Sequence, residues 1–209
     1  MKKLLFVGNS FTYYHDLPAM LEKLSCAAGY SIQTAAVTKG GWYLERYADP
    51  DNEMYPLLHE THEQRAWDMI VLQDQSFSPA GHPERYLAAV RTLCNQLPCR
   101  ERFVIYQTWA YEDGTEKLHG TGMTYQQMHE TLRDTCRQAA KQQNALLVPV
   151  GDAFRLCHDT RPEIGLYMPD HYHPSPEGTY LAACVFFAAL SGCNPRTLDG
   201  IPDIAPATA

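Results

Sequence analysis

A serine at position 10, an aspartate at 170 and a histidine at 173 are the residue types that acyl transfer through a hydroxyl needs. Ser10 follows the apolar run Leu4–Val7 and the pair Gly8-Asn9, and it precedes Phe11-Thr12. A buried strand that ends there and turns into a helix aims the Ser10 hydroxyl out of the sheet edge. The Ser10 N–H then faces the same space, at a helix N-terminus where developing negative charge is favoured. The same position also suits a plain helix cap by Ser10 or Thr12. Asp170 stands three residues before His173 in the Pro-bounded turn Asp170-His171-Tyr172-His173-Pro174-Ser175. At that spacing a carboxylate can reach the ring Nδ1–H, fix the tautomer and leave Nε2 free to take a proton from serine. A loop whose polar groups cap one another would carry the same residues. His171 is the competing histidine, and its place in the turn points it the other way.

Acyl transfer also needs donors for an oxyanion. Gly41, in Thr38-Lys39-Gly40-Gly41-Trp42, allows close backbone approach and offers an N–H. Gln75, and after it Gln73, can supply a side-chain N–H. Ordinary turn and strand-end roles fit the same glycine and glutamines. Trp42, Tyr43, Trp109 and Tyr172 flank these segments and are candidates for a substrate platform.

The elements that must position these residues alternate from end to end. Strands are expected at Leu4–Val7, Ile32–Val37, Met69–Leu72, Phe103–Tyr106 and Ala145–Val150. Helices are expected at Leu17–Ala28, with Pro18 in its first turn and Gly29 past its end, and at Pro83–Leu97, Thr124–Gln142, Gly151–His158 and Pro176–Leu190. Ser175 is placed to cap the last of these. Asp49–Glu63 and Tyr111–Met123 read as irregular surface excursions. Five strands separated by helices imply a parallel sheet covered on both faces, an α/β three-layer sandwich of flavodoxin-like type. In such sheets ligands bind beyond the carboxyl ends of the strands, which is where the candidate residues fall. The expected organisation is a single domain over 1–199 and a Pro- and Ala-rich tail over 200–209.

Together these residues resemble the SGNH (GDSL-like) hydrolase family. Gly8-Asn9-Ser10 resembles its first motif, Gly-Asp-Ser, with Asn in the middle. Asp170-x-x-His173-Pro174-Ser175 followed by Gly178 and a final helix resembles its last motif. The resemblance implies a serine esterase with Ser10 as nucleophile, His173 as general base and acid, Asp170 as its orienter and Gly41 as an oxyanion donor. The family's third motif, Gly-x-Asn-Asp, is absent. The corresponding segment reads Leu72-Gln73-Asp74-Gln75-Ser76, which makes Gln75 the substitute donor. No cofactor is implied. A short acyl ester, on a polar and sugar-like alcohol, is the expected substrate.

Composition sets the frame. The chain has 209 residues, 45% hydrophobic and 20% charged, which is globular and long enough to bury a core. Its net charge of −7 argues against nucleic acid or an anionic membrane as partner. The apolar run Ala182–Leu190 is too short to span a bilayer, and Met1–Val7 reads as a first strand and not as a signal peptide. Seven cysteines without a Cys-x-x-Cys pair suggest buried thiols and a cytoplasmic location. Three other readings compete: a flavodoxin-like turn in which Ser10 and Thr12 hold a phosphate or flavin, a metal site from Asp170, His171, His173 and His15, and a non-catalytic domain of the same fold.

Overall fold

The computed structural model describes residues 1–195; the tail expected over 200–209 lies outside the described residues. Five strands form one parallel sheet: β1 (Lys2–Gly8), β2 (Ile32–Thr38), β3 (Met69–Leu72), β4 (Arg102–Tyr106) and β5 (Leu146–Val148). Their order is β2-β1-β3-β4-β5. The chain winds outward from β1 to β2, then returns across β1 to β3, so the winding reverses beside the carboxyl end of β1. Such a switch point leaves a crevice for a ligand.

The helices are α1 (Ser10–Tyr13), α2 (Leu17–Ala27), α3 (Leu44–Ala48), α4 (Met54–Glu63), α5 (Ser78–Gly81), α6 (Pro83–Gln96), α7 (Glu116–His119), α8 (Tyr125–Gln142), α9 (Val150–Thr160) and α10 (Pro176–Ser191). Strand alternation divides the core into two layers. Leu4, Phe6, Val71 and Val104 pack against Leu21 of α2, Phe154 of α9 and Phe186 of α10. Leu5, Val7, Ile70 and Leu72 face the opposite way, onto Leu44, Leu58, Val90 and Cys136 of α3, α4, α6 and α8. This is the α/β/α sandwich that the strand pattern implies. A third cluster, with Ala110, Tyr111, Leu118, Tyr125 and Met128, fills the space beneath the segment that leaves β4. Among the described residues no helix is long and apolar enough to cross a membrane. All seven cysteines are free thiols.

The short helices α3 and α5 have no counterpart in the sequence reading, and two further elements differ from it. Asp49–Glu63 contains a helix, α4, which buries only Leu58; one apolar anchor leaves too faint a period to register. The fifth strand ends at Val148 because Pro149 turns the chain and Val150 already opens α9. Tyr111–Met123 is irregular apart from the single turn of α7.

Candidate active site

Gly8 ends β1 against the end of β3, where a Cβ would stand 2.5 Å from Gln73 Oε1 and 2.7 Å from Thr12 Oγ1. Only a residue without a side chain lets the two segments approach that closely. Asn9 then caps α1: its Oδ1 accepts from the Phe11 N–H at 3.1 Å. Asn9 and Gln73 also form a reciprocal pair. The Asn9 N–H donates to Gln73 Oε1, and Gln73 Nε2 donates to Asn9 Oδ1, both at 2.9 Å. Asn9 Nδ2 reaches on to the Trp42 carbonyl at 3.0 Å. One buried amide thus ties the Ser10 turn to the loops after β2 and β3.

Ser10 comes out of this turn as the first residue of α1, 7% exposed. His173 Nε2 stands 2.7 Å from Ser10 Oγ, and its Nδ1 stands 2.6 Å from Asp170 Oδ2. The other Asp170 oxygen accepts from the backbone N–H groups of His173 and Tyr172 at 3.0 and 3.2 Å. Burial pushes the Asp170 carboxyl upward, but the His173 ring and these two N–H groups outweigh it and hold its pKa below the ordinary value. Asp170 therefore stays ionised, as a group that orients imidazole and stabilises imidazolium must.

Aromatic rings hold the histidine. Tyr14 and Tyr172 lie against it at centroid distances of 4.3 and 4.1 Å, and Phe11 meets it edge-on at 5.5 Å. Tyr13 and Tyr14 were not singled out in the sequence; their places three and four residues beyond Ser10, one helical turn on, were the available signal. Behind these rings, Trp109 is stacked between Phe11 and Phe154 at 4.7 and 4.0 Å, and its Nε1 donates to the Tyr172 carbonyl at 3.0 Å. Trp109 is fully buried, so it is no substrate platform: it braces the Ser10 turn and the His173 turn from below. His171, at φ +67°, turns outward and places its Nδ1 2.6 Å from Glu112 Oε2.

A cavity of about 280 Å³ opens on Ser10 and His173, lined also by Tyr13, Gly41, Gln75 and Tyr172. Gly41 has φ +67°, a conformation that an L side chain resists, and its N–H has no acceptor among the described residues. The Ser10 N–H is likewise unpaired. Since α1 is a single turn, its macrodipole is small, and the local N–H groups supply the positive potential. Gln75 borders the cavity, with Oε1 accepting from the Phe77 N–H and Nε2 3.3 Å from Ser76 Oγ. Gln73 does not reach it. Its amide is buried and used on Asn9, the Asp74 carbonyl and the Thr12 hydroxyl, so the expectation that it donates to an oxyanion is corrected.

Trp42 also falls away from the cavity. Its ring packs on the second core layer, between Lys39 and Arg46, whose charges sit 4.2 and 4.7 Å from its centroid. Tyr43 borders a neighbouring hollow, not the one over Ser10. Of the four aromatic candidates, only Tyr172 lines the serine cavity. Asp74 is a residue the sequence reading passed over. It is buried, and it accepts from Leu44 N–H, Gln75 N–H and Ser78 Oγ at 2.8, 2.7 and 2.8 Å, clamping the loops that carry Gly41 and Gln75 together.

Two of the three competing readings, the phosphate or flavin cradle and the metal site, find little in this geometry. The hydroxyls of Ser10 and Thr12 are both directed to protein partners, His173 and Gln73, and not outward as a phosphate cradle requires. Among the described residues no group of three or more His, Cys, Asp or Glu is placed to hold a metal ion.

No protein-family model matches the chain, and no curated protein does. Solved structures do. A protein from Slackia heliotrinireducens assigned as an SGNH hydrolase is 30% identical, with a TM-score of 0.78 over 91% of this chain and 99% of that one. A DUF4886 family protein from Bacteroides uniformis is 21% identical, with a TM-score of 0.83 over 97% and 87%. An acetyl xylan esterase, AlAXEase, is 16% identical, with a TM-score of 0.63 over 90% and 99%. The last two likenesses are of fold alone.

Proposed function

The chain belongs to the SGNH family of hydrolases, and from that premise we propose that it is a serine esterase that removes short acyl groups from a polar, sugar-like alcohol. The observation that carries this reading is the relay Ser10 Oγ, His173 Nε2, His173 Nδ1, Asp170 Oδ2, with spacings of 2.7 and 2.6 Å. In this reading Ser10 attacks the ester carbonyl while His173 takes its proton. The carbonyl oxygen becomes an oxyanion beside the Ser10 and Gly41 N–H groups and the Gln75 amide, in place of the asparagine of the family's usual third motif. His173 then protonates the departing alcohol. Water, deprotonated by the same ring, attacks the acyl-serine, and its breakdown returns the free carboxylic acid and Ser10.

Short acyl groups are favoured by the size of the cavity, about 280 Å³, and by the rings of Tyr13, Tyr14 and Tyr172 that bound it. A long chain directed toward the His173 side would have to displace Tyr14 and Tyr172, which lie against that ring. The acetyl xylan esterase of the same fold is an instance of such chemistry on this framework.

The test is a series of p-nitrophenyl acetate, butyrate and octanoate, kept below micellar concentrations, with a fluorophosphonate probe alongside. Wild type should prefer acetate, and the probe should label Ser10. In a tight pocket each misfitting methylene lowers kcat/KM by about 1–3 kcal/mol of transition-state free energy. Rising kcat/KM with chain length would remove the short-acyl reading, and equal labelling of Ser10→Ala would remove Ser10 as nucleophile.

A further inference from the structure

The cavity over Ser10 does not end at Gln75. A second hollow of about 370 Å³ adjoins it, and Gln75 and Lys117 belong to the walls of both. Beyond that boundary the lining includes Tyr43, Phe77, Tyr111 and one carboxylate, that of Glu116. The second hollow is the more open of the two, so a bulky alcohol can extend from it into solvent while the first holds the ester and its small acyl group.

Lys117 is the distinctive residue at the boundary. No acidic side chain lines the first cavity, and Lys117 is its only lysine or arginine. Among the described residues its ammonium has no ion-pair partner. Instead it lies over two rings, 4.1 Å from the centroid of Tyr172 and 5.3 Å from that of Tyr111. Cation–π contact with two faces restrains the long side chain where it stands, which lowers the cost of ordering it around a ligand. An ammonium held in this way can still donate to a carboxylate in a charge-assisted hydrogen bond. The aromatic lining next to it suits the face of a sugar ring.

We infer that the second hollow is an alcohol subsite for an acidic sugar, whose carboxylate pairs with Lys117 while its acyl ester reaches Ser10. This assignment rests on the esterase reading of the same site and adds the substrate class. The chain's net charge of −7 works against any anion approaching from afar, and the Glu116 carboxylate in the second hollow works against one close by. A preference for an anionic ester therefore has to arise from a local cation.

The experiment compares O-acetylated methyl glucuronoside with O-acetylated methyl glucoside, which present the same ring with and without a carboxylate. Wild type should favour the acidic ester by about tenfold in kcat/KM at low salt, the size of one charge-assisted hydrogen bond. The preference should lie mainly in KM, because the contact is remote from the reacting carbonyl, and should shrink as salt is added. Lys117→Met should abolish the ratio and Lys117→Arg should retain it. A ratio of one or less in wild type overturns the assignment, and so does a preference that survives Lys117→Met. Ser10-dependent cleavage of p-nitrophenyl acetate without cleavage of either sugar ester overturns the acidic-sugar subsite and leaves the esterase reading standing. Absence of Ser10-dependent cleavage of every ester overturns the esterase reading, and the subsite with it.

Discussion

Replacing Asp74 by Asn removes one buried ionisable group while keeping its shape and most of its hydrogen bonds. The Oδ1 atom of the wild-type carboxylate accepts from the Leu44 and Gln75 N–H groups, and Oδ2 accepts from the Ser78 hydroxyl. An amide retains the first two bonds, and the Ser78 hydroxyl can rotate to accept in place of donating. The charge is the main thing lost. In the native protein burial pushes the Asp74 carboxyl up from 3.8 to about 6, against the bonds from Leu44, Ser78 and Gln75, with the nearby Glu45 charge adding to the rise. Desolvation therefore exceeds what three hydrogen bonds return. The gap is about two pKa units, or about 3 kcal/mol. The folded state holds this proton more tightly than the unfolded chain. Stability from Asp74 is greatest below pH 4, falls as pH rises toward 6, and stays low above it. Wild type and Asp74→Asn share every other titrating group, so the difference between their unfolding free energies isolates this one. That difference should move by about 3 kcal/mol in favour of the variant between pH 3 and pH 7, as measured by urea unfolding at unit pH steps with m-values held equal. A difference that stays flat would show the carboxylate to be solvated as well inside as outside. A slope of opposite sign would mean that the hydrogen bonds prevail over burial. Either result refutes the reasoning. The ionised clamp on the Gly41 and Gln75 loops is, on this argument, a stabilising geometry bought with an unfavourable charge.

Two further outcomes follow from the site. Ser10→Ala and His173→Ala should each lower kcat by roughly three or more decades, with the double variant little worse than either single one, because the residues work as one unit. His171→Ala, whose ring faces Glu112, should lose far less, and steady-state kinetics of the four variants decides it. Gln75→Ala should lower kcat by about 10²-fold with little change in KM if its amide serves the oxyanion. Gln73→Ala should instead lower unfolding stability by about 1–3 kcal/mol, because it strands the buried Asn9 amide. Paired kinetic and denaturation measurements separate the two glutamines.

Much of the fold was legible in the sequence because its signals are local. Continuous apolar runs such as Leu4–Val7 and Met69–Leu72 mark buried parallel strands, and Pro18, Gly29 and Ser175 punctuate helices at the positions the structure uses. Strand ends are local as well, so Ser10 after β1 and the Asp170–His173 turn before α10 could be read as parts that meet at one sheet edge. The structure brings Ser10 and His173 together across 163 residues of chain. The direction of a side chain is not local. Trp109 follows a strand end as an exposed platform residue would, yet Phe11 and Phe154 close over both its faces and bury it. Gln73 and Gln75 are two residues apart and chemically identical. Asn9, 64 residues away, takes the first amide, and only the second borders the cavity. Lys117 lies in a polar stretch that looks like solvent-facing loop until Tyr111 and Tyr172 are folded beneath its ammonium. Sequence by itself determined which segments become strands and helices and which residue types gather at their ends. Tertiary structure alone decided which of those side chains are occupied in holding the frame and which are left facing a ligand, because that choice is made by packing between segments distant in the chain.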